Sequence, residues 1–142
     1  MRIANLSGRL VLVTDQRAIV VEDASAGRFS SDPQRVYQRW FEFIEWAEKA
    51  PPGAVPFSAE QLGPPAPRPA QVFGIGANYH SHAAEGGLDV PEWPMVFTRY
   101  LSSFTGPLGE IELPSDAVDW EVELVFVVAQ MARNVPAERG WD

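Results

Sequence analysis

The stretch Val118-Asp119-Trp120-Glu121-Val122-Glu123-Leu124-Val125-Phe126-Val127-Val128 carries the longest β pattern in the chain. Successive side chains of a strand point to opposite faces. One face is then Val118, Trp120, Val122, Leu124, Phe126 and Val128, with no polar residue among them. The other face begins with Asp119, Glu121 and Glu123 and turns apolar at Val125 and Val127. A strand with one solvated face stays polar along it, so the change predicts burial on both faces beyond Glu123. Carboxylates at the edge of a buried face are costly unless cations partner them. Two glutamates two residues apart on one face bring their oxygens close enough to share one hard divalent ion, Mg²⁺ or Mn²⁺. The same spacing fits a solvated edge strand carrying three acids, because an ExE pair is common.

Upstream, Asn78-Tyr79-His80-Ser81-His82-Ala83-Ala84-Glu85-Gly86-Gly87 holds both histidines of the chain. On a helical turn His82 and Glu85 are neighbours, so the carboxylate can orient the imidazole as a general base. The glycine pair, with Pro91 and Pro94 around Trp93, reads as a hinged loop able to close over a site. A surface turn with a solvated histidine fits the spacing as well. Short strands flank this region at Gln71–Gly76 and Pro94–Thr98, and Gly106–Pro114 reads as a turn with a short strand. Gly74-Ile75-Gly76 lacks the third glycine and the following helix of a dinucleotide loop, which excludes that reading.

The first 23 residues read as strands: Ile3–Leu6 ended by Ser7-Gly8, then Leu10–Val13 and Ala18–Val21 joined through Asp15-Gln16. A helix over 33–50 follows, capped by Asp32 with Pro33 at its first position, its apolar stripe formed by Val36, Trp40, Phe43, Ile44 and Ala47. That stripe is core packing. Seven of the nineteen residues from Pro51 to Pro69 are proline, which predicts an extended linker without sheet pairing. The organisation expected is a small N-terminal domain over 1–66, with linker 51–69, and a second domain from residue 70 to 142.

Composition narrows the function classes. The 142 residues are 46% hydrophobic and 21% charged, which is globular. There is no cysteine, hence no disulfide framework, thiolate zinc site or cysteine nucleophile, and a cytoplasmic setting is expected. A net charge of −8, with one lysine and ten arginines, argues against a nucleic-acid partner. No apolar run is long enough to span a membrane, and Met1–Asn5 does not open a secretory signal.

Taken in order, Phe73–Tyr79, His82–Glu85, Pro94–Phe97, Ser102–Pro107, Leu113-Pro114, Val118–Leu124 and Ala132–Val135 resemble the fumarylacetoacetate hydrolase family. Gly27-Arg28-Phe29 and the Pro33 helix look like the small leading domain of its bacterial members. The resemblance implies an α+β, mostly β fold: a β-hairpin and helix domain followed by the first part of a mixed β-roll, usually in a homodimer. It implies Mg²⁺, with Mn²⁺ or Ca²⁺ as alternatives, held by Glu121 and Glu123. It places His82 and Glu85 on the His–Glu pair of a mobile lid, and Gly76, Asn78, Tyr79 and Arg99 beside the substrate. The family usually has lysine where this chain has Arg99; arginine still holds a carboxylate but is no longer a proton donor of the same kind.

The implied substrate is a small 2-oxo or 2-hydroxy-dienoic acid, chelated by the metal, which stabilises the developing enolate. In the hydrolase version, acting on an acylpyruvate-type 2,4-dioxo acid, His82 and Glu85 activate water and a carbon–carbon bond breaks. The alternatives are an isomerase or decarboxylase of 2-hydroxy-dienoates or 2-oxo diacids, of the hydroxyheptadienedioate or oxaloacetate type, and a non-catalytic fragment or oligomerisation module. The family's third metal ligand, an aspartate, falls after the last residue here, so the chain is expected to be the N-terminal part of a longer protein.

Overall fold

The computed structural model describes residues 1–141. The chain packs as two compact units, Met1–Ala66 with the segment from Thr105 onward, and Pro67–Phe104. The fold is α+β, with seven antiparallel strands against three short α-helices among the described residues.

In the first unit, β1 (Ile3–Leu6), β2 (Arg9–Thr14) and β3 (Arg17–Val20) form a meander. Its two turns use left-handed backbone at Ser7 (φ 48°), Gly8 (φ 85°) and Asp15 (φ 54°), the turn residues expected there. The β2–β3 register sets Val11 opposite Val20 and Val13 opposite Ala18. Asn5, a buried polar residue, accepts from the Gly8 N–H through Oδ1 (2.9 Å) and donates through Nδ2 to Pro64 O (3.0 Å). Both amide ends are thus satisfied. At the far end Val21 begins a single helical turn, α1 (Val21–Ala24), where sequence alone continued the strand.

The helix expected over 33–50 is shorter and starts differently. Asp32 Oδ1 accepts from the Gln34 N–H (3.0 Å), as a cap should, but Arg35–Arg39 winds as a 3₁₀ helix. The backbone breaks at Arg39 (φ −132°, ψ 38°), and only Trp40–Ala47 is α-helical (α2). At that break the Arg39 side chain turns outward, to Glu42 and to Arg28 O. The apolar stripe does its expected work. Val36 and Phe43 are buried with Leu10, Leu12, Val21 and Phe29, and Trp40, Trp46 and Tyr37 close over them. Phe29 and Phe43 meet edge-to-face, centroids 5.4 Å apart.

The proline-rich stretch corrects another expectation, because it does pair. β4 (Val55–Pro56) lies against β3 and β5 (Leu62–Gly63) against β1, giving the order β4-β3-β2-β1-β5. Both are two-residue edge strands, the position in a sheet where proline's missing N–H is tolerated. Between them Ser58 and Gln61 form a reciprocal capping box over a 3₁₀ turn, Ala59–Gln61.

The strand predicted over 118–128 is not formed. Its residues lie outside any ladder among those described, with Trp120 79%, Val122 81% and Val128 75% exposed. Alternation sets which side chains share a face, but backbone becomes a strand only against a partner. Gly106–Pro114 likewise shows its turn without its strand. No described helix is long and apolar enough to cross a membrane.

Candidate functional site

The second unit is built on one antiparallel pair, β6 (Phe73–Gly76) and β7 (Met95–Thr98), both where the sequence places them. The register sets Phe73 opposite Thr98, Gly74 opposite Phe97, Ile75 opposite Val96 and Gly76 opposite Met95. The Arg99 N–H extends the ladder to Val72 O (3.0 Å).

Gly76 ends β6. A Cβ there would lie 3.3 Å from Met95 Cε, so the glycine lets the methionine side chain cross the end of the ladder. Ala77 follows with φ 52°, left-handed backbone unusual for an L-residue, and turns the chain out of the strand. Asn78 and Tyr79 are exposed, and Tyr79 precedes α3 (His80–Glu85).

Helix α3 is anchored by Ala83, 1% exposed, whose carbonyl accepts from the Leu88 N–H (2.8 Å). Gly87, left-handed at φ 64°, makes that return possible. With Ala83 turned inward, His82 and Glu85 are exposed, three residues apart on one helix. Gly76, Asn78, Tyr79, His82 and Glu85 thus share one strand-to-helix connection. Arg99 stands at the other end of the ladder, four residues along β7 from the partner of Gly76, or roughly 13 Å of strand.

Glu121 and Glu123 lie in the exposed segment outside that unit, and both are exposed. Their oxygens suit a hard divalent ion in kind. They fall short of it in number: among the described residues no group of three or more histidine, aspartate or glutamate side chains converges to hold a metal. A cleft of about 360 Å³ in the first unit is lined by Ile3, Ala4, Leu62–Pro65 and Thr105–Pro107, without a titratable side chain.

Sequence reasoning treated Gly74 and Phe97 as ordinary strand residues. In the structure a Cβ on Gly74 would lie among the ring atoms of Phe97, and the Arg99 guanidinium carbon stands 5.2 Å from that ring's centroid. A glycine predicted to face an aromatic across a hairpin was the available signal; it needed the register to be readable.

Comparison with known proteins bears on the same residues. Residues 71–142 match the family model described as fumarylacetoacetate (FAA) hydrolase, C-terminal. A protein of Burkholderia ambifaria, provisionally named a hydrolase, is 43% identical over 77 residues, 53% of this chain and 27% of that protein. A Burkholderia cenocepacia protein with the same provisional name is 43% identical over 74 residues, 51% of this chain and 26% of its own length. A crystal structure from Mycobacterium smegmatis, provisionally named HpcE, superposes with a TM-score of 0.71 at 45% identity, over 81% of this chain and 41% of that one. That coverage exceeds the matched 71–142 segment, so the likeness includes residues before 71. The chain spans about a quarter of the length of the curated relatives.

Proposed function

The chain belongs to the fumarylacetoacetate hydrolase family, and from that premise we propose that it serves an enzyme cleaving a carbon–carbon bond in a small acylpyruvate-type 2,4-dioxo acid. In this reading residues 1–66 form a leading domain and 70–142 part of the catalytic domain of a cytoplasmic homodimer. The observation that carries it is the single connection from Gly76 through Tyr79 into α3, which presents His82 and Glu85 together beside the strand end.

His82 removes a proton from water, with Glu85, one helical turn on, orienting and stabilising the imidazolium. The resulting hydroxide adds to the distal carbonyl of the substrate. The bond between that carbon and its neighbour breaks, its electron pair leaves with the pyruvyl fragment as an enolate, and the proton on His82 passes to it. Asn78 and Tyr79 offer hydrogen bonds to substrate oxygens, and Gly76 stands beside the substrate. Arg99 takes the substrate carboxylate, which a guanidinium binds in bidentate fashion.

Glu121 and Glu123 would hold Mg²⁺, or Mn²⁺ or Ca²⁺ in its place, with the remaining donors supplied from elsewhere in the protein. Such an ion supplies Lewis-acid stabilisation of negative charge on the substrate oxygens.

The test is turnover of acetylpyruvate by the purified enzyme with and without Mg²⁺, beside oxaloacetate and a hydroxymuconate-type diacid. Glu121→Ala and Glu123→Ala abolish activity, and His82→Ala lowers kcat by roughly 10²–10⁴-fold. A His82→Ala enzyme with full activity rules out the base. Double-bond migration or decarboxylation of the diacids, without cleavage of acetylpyruvate, moves the function to the isomerase or decarboxylase reading.

A further inference from the structure

The second unit sets a glycine, an aromatic ring and a guanidinium against one another. Gly74 and Phe97 are direct cross-strand partners. A Cβ on Gly74 would collide with three atoms of the Phe97 ring, Cζ, Cε2 and Cε1. The ring therefore lies across the neighbouring strand in the space the glycine leaves. Against this ring stands the guanidinium of Arg99, its central carbon 5.2 Å from the centroid, a separation within cation–π range.

Residues 97 and 99 share one face of β7 extended through Arg99, and two residues of strand advance by about 6.6 Å. The guanidinium lies closer to the ring than that. The two side chains therefore converge across the two-residue step. Without the ring a long, exposed arginine samples many rotamers, and the contact with the ring restricts them. The planar guanidinium is also what makes the stack effective, since an ammonium has no face to lay on an aromatic.

We propose that Phe97, seated on Gly74, is a positioning residue that holds the Arg99 guanidinium in place for the carboxylate of the substrate. The proposal rests on the assignment of Arg99 to the substrate carboxylate. Phe97 itself touches no reacting atom. Its effect falls on binding, and the chemical step is left alone.

The experiment is a double-mutant cycle on the purified enzyme with acetylpyruvate as probe. Phe97→Leu keeps an apolar strand residue and removes the ring face. It raises KM roughly 2- to 5-fold, the span of an exposed cation–π contact, with kcat within about 2-fold, and Phe97→Tyr restores KM. Arg99→Ala raises KM more, and adding Phe97→Leu to it changes nothing further, because the ring then has nothing to hold. Gly74→Ala displaces the ring and repeats the Phe97→Leu effect where it folds. In parallel, the Arg99 Nε–H resonance shows an upfield ring-current shift that Phe97→Leu abolishes.

Additive effects of Phe97→Leu and Arg99→Ala, or a fall in kcat without a change in KM, overturn the positioning role. If the Arg99 resonance shift is lost while KM is unmoved, the stack exists and does not serve binding. An Arg99→Ala enzyme with unchanged KM places the failure in the carboxylate assignment itself, and the positioning role falls with it.

Discussion

Truncating Phe43 tests whether the aromatic core of the first unit carries its stability. Phe43 is 0% exposed and has three aromatic neighbours: Phe29 edge-to-face at 5.4 Å, Trp40 at 5.7 Å and Trp46 at 5.8 Å between centroids. Each such pair contributes about 0.5–1.5 kcal/mol beyond area burial. Phe43→Leu removes all three but keeps most of the buried apolar volume. Contacts regained by the leucine, and the non-additivity of neighbours, bring the expected loss to about 2 kcal/mol. Phe43→Ala adds a cavity and costs about 3–5 kcal/mol, a large share of the 5–15 kcal/mol typical of a whole domain. Urea unfolding followed by tryptophan fluorescence reads this locally, because Trp40 and Trp46 flank the substituted ring. With a slope near 2 kcal/mol/M, the leucine variant moves the midpoint down by about 1 M. Phe41→Leu is the control: the residue is 51% exposed, and the change stays within about 0.5 kcal/mol. Midpoint shifts for Phe43→Leu and Phe43→Ala as small as that of the control would refute the core assignment.

Gly53→Ala places a Cβ 2.6 Å from Arg17 O, 2.7 Å from Arg17 C and 2.9 Å from Ala18 N. These are backbone atoms that cannot swing aside, so β4 shifts away from β3 at a cost of about 1–3 kcal/mol; faster amide exchange at Ala54, whose N–H donates to Ala18 O (3.1 Å), reports it. The Glu42 carboxyl is held below its usual range, first by hydrogen bonding from Arg39, whose Nε and Nη2 donate to its two oxygens at 3.2 and 2.6 Å. A carboxyl lowered in the folded state adds stability above its unfolded value, near 4.3, and loses it as pH falls through the folded one. The pair is exposed, so the effect is small. Urea midpoints of wild type and Glu42→Gln, separate at neutral pH, converge in acid, and a gap that persists there contradicts the ion pair as its source.

What could be read from the sequence follows the range of the interaction. Turns and caps are local. Ser7-Gly8 and the Asp32 cap depend on residues within a few positions, and the structure places them as their chemistry requires. Helix length was less legible. The stripe from Val36 to Ala47 identifies the buried face whether the backbone is 3₁₀ or α, so periodicity could not show the break at Arg39. The prolines misled for a related reason. Proline bars a residue from a central ladder, while Pro56 occupies an edge, and only the topology says which strands lie at the edge.

The candidate site divides along the same line. His82 and Glu85 belong to one helical turn, so sequence alone could pair them, and α3 does set them on one short helix. Glu121 and Glu123 also share a local spacing, but its meaning depends on a ladder that would fix their face, and the described residues supply none. The positioning of Arg99 depends on a register between residues far apart in sequence, Gly74 opposite Phe97. Nothing in Phe97-Thr98-Arg99 by itself favours stacking over a solvated arginine. The glycine across the ladder does, by giving the ring a place to lie within reach of the guanidinium. A substitution at Gly74, which carries no functional group, is therefore expected to weaken substrate binding through two intervening side chains.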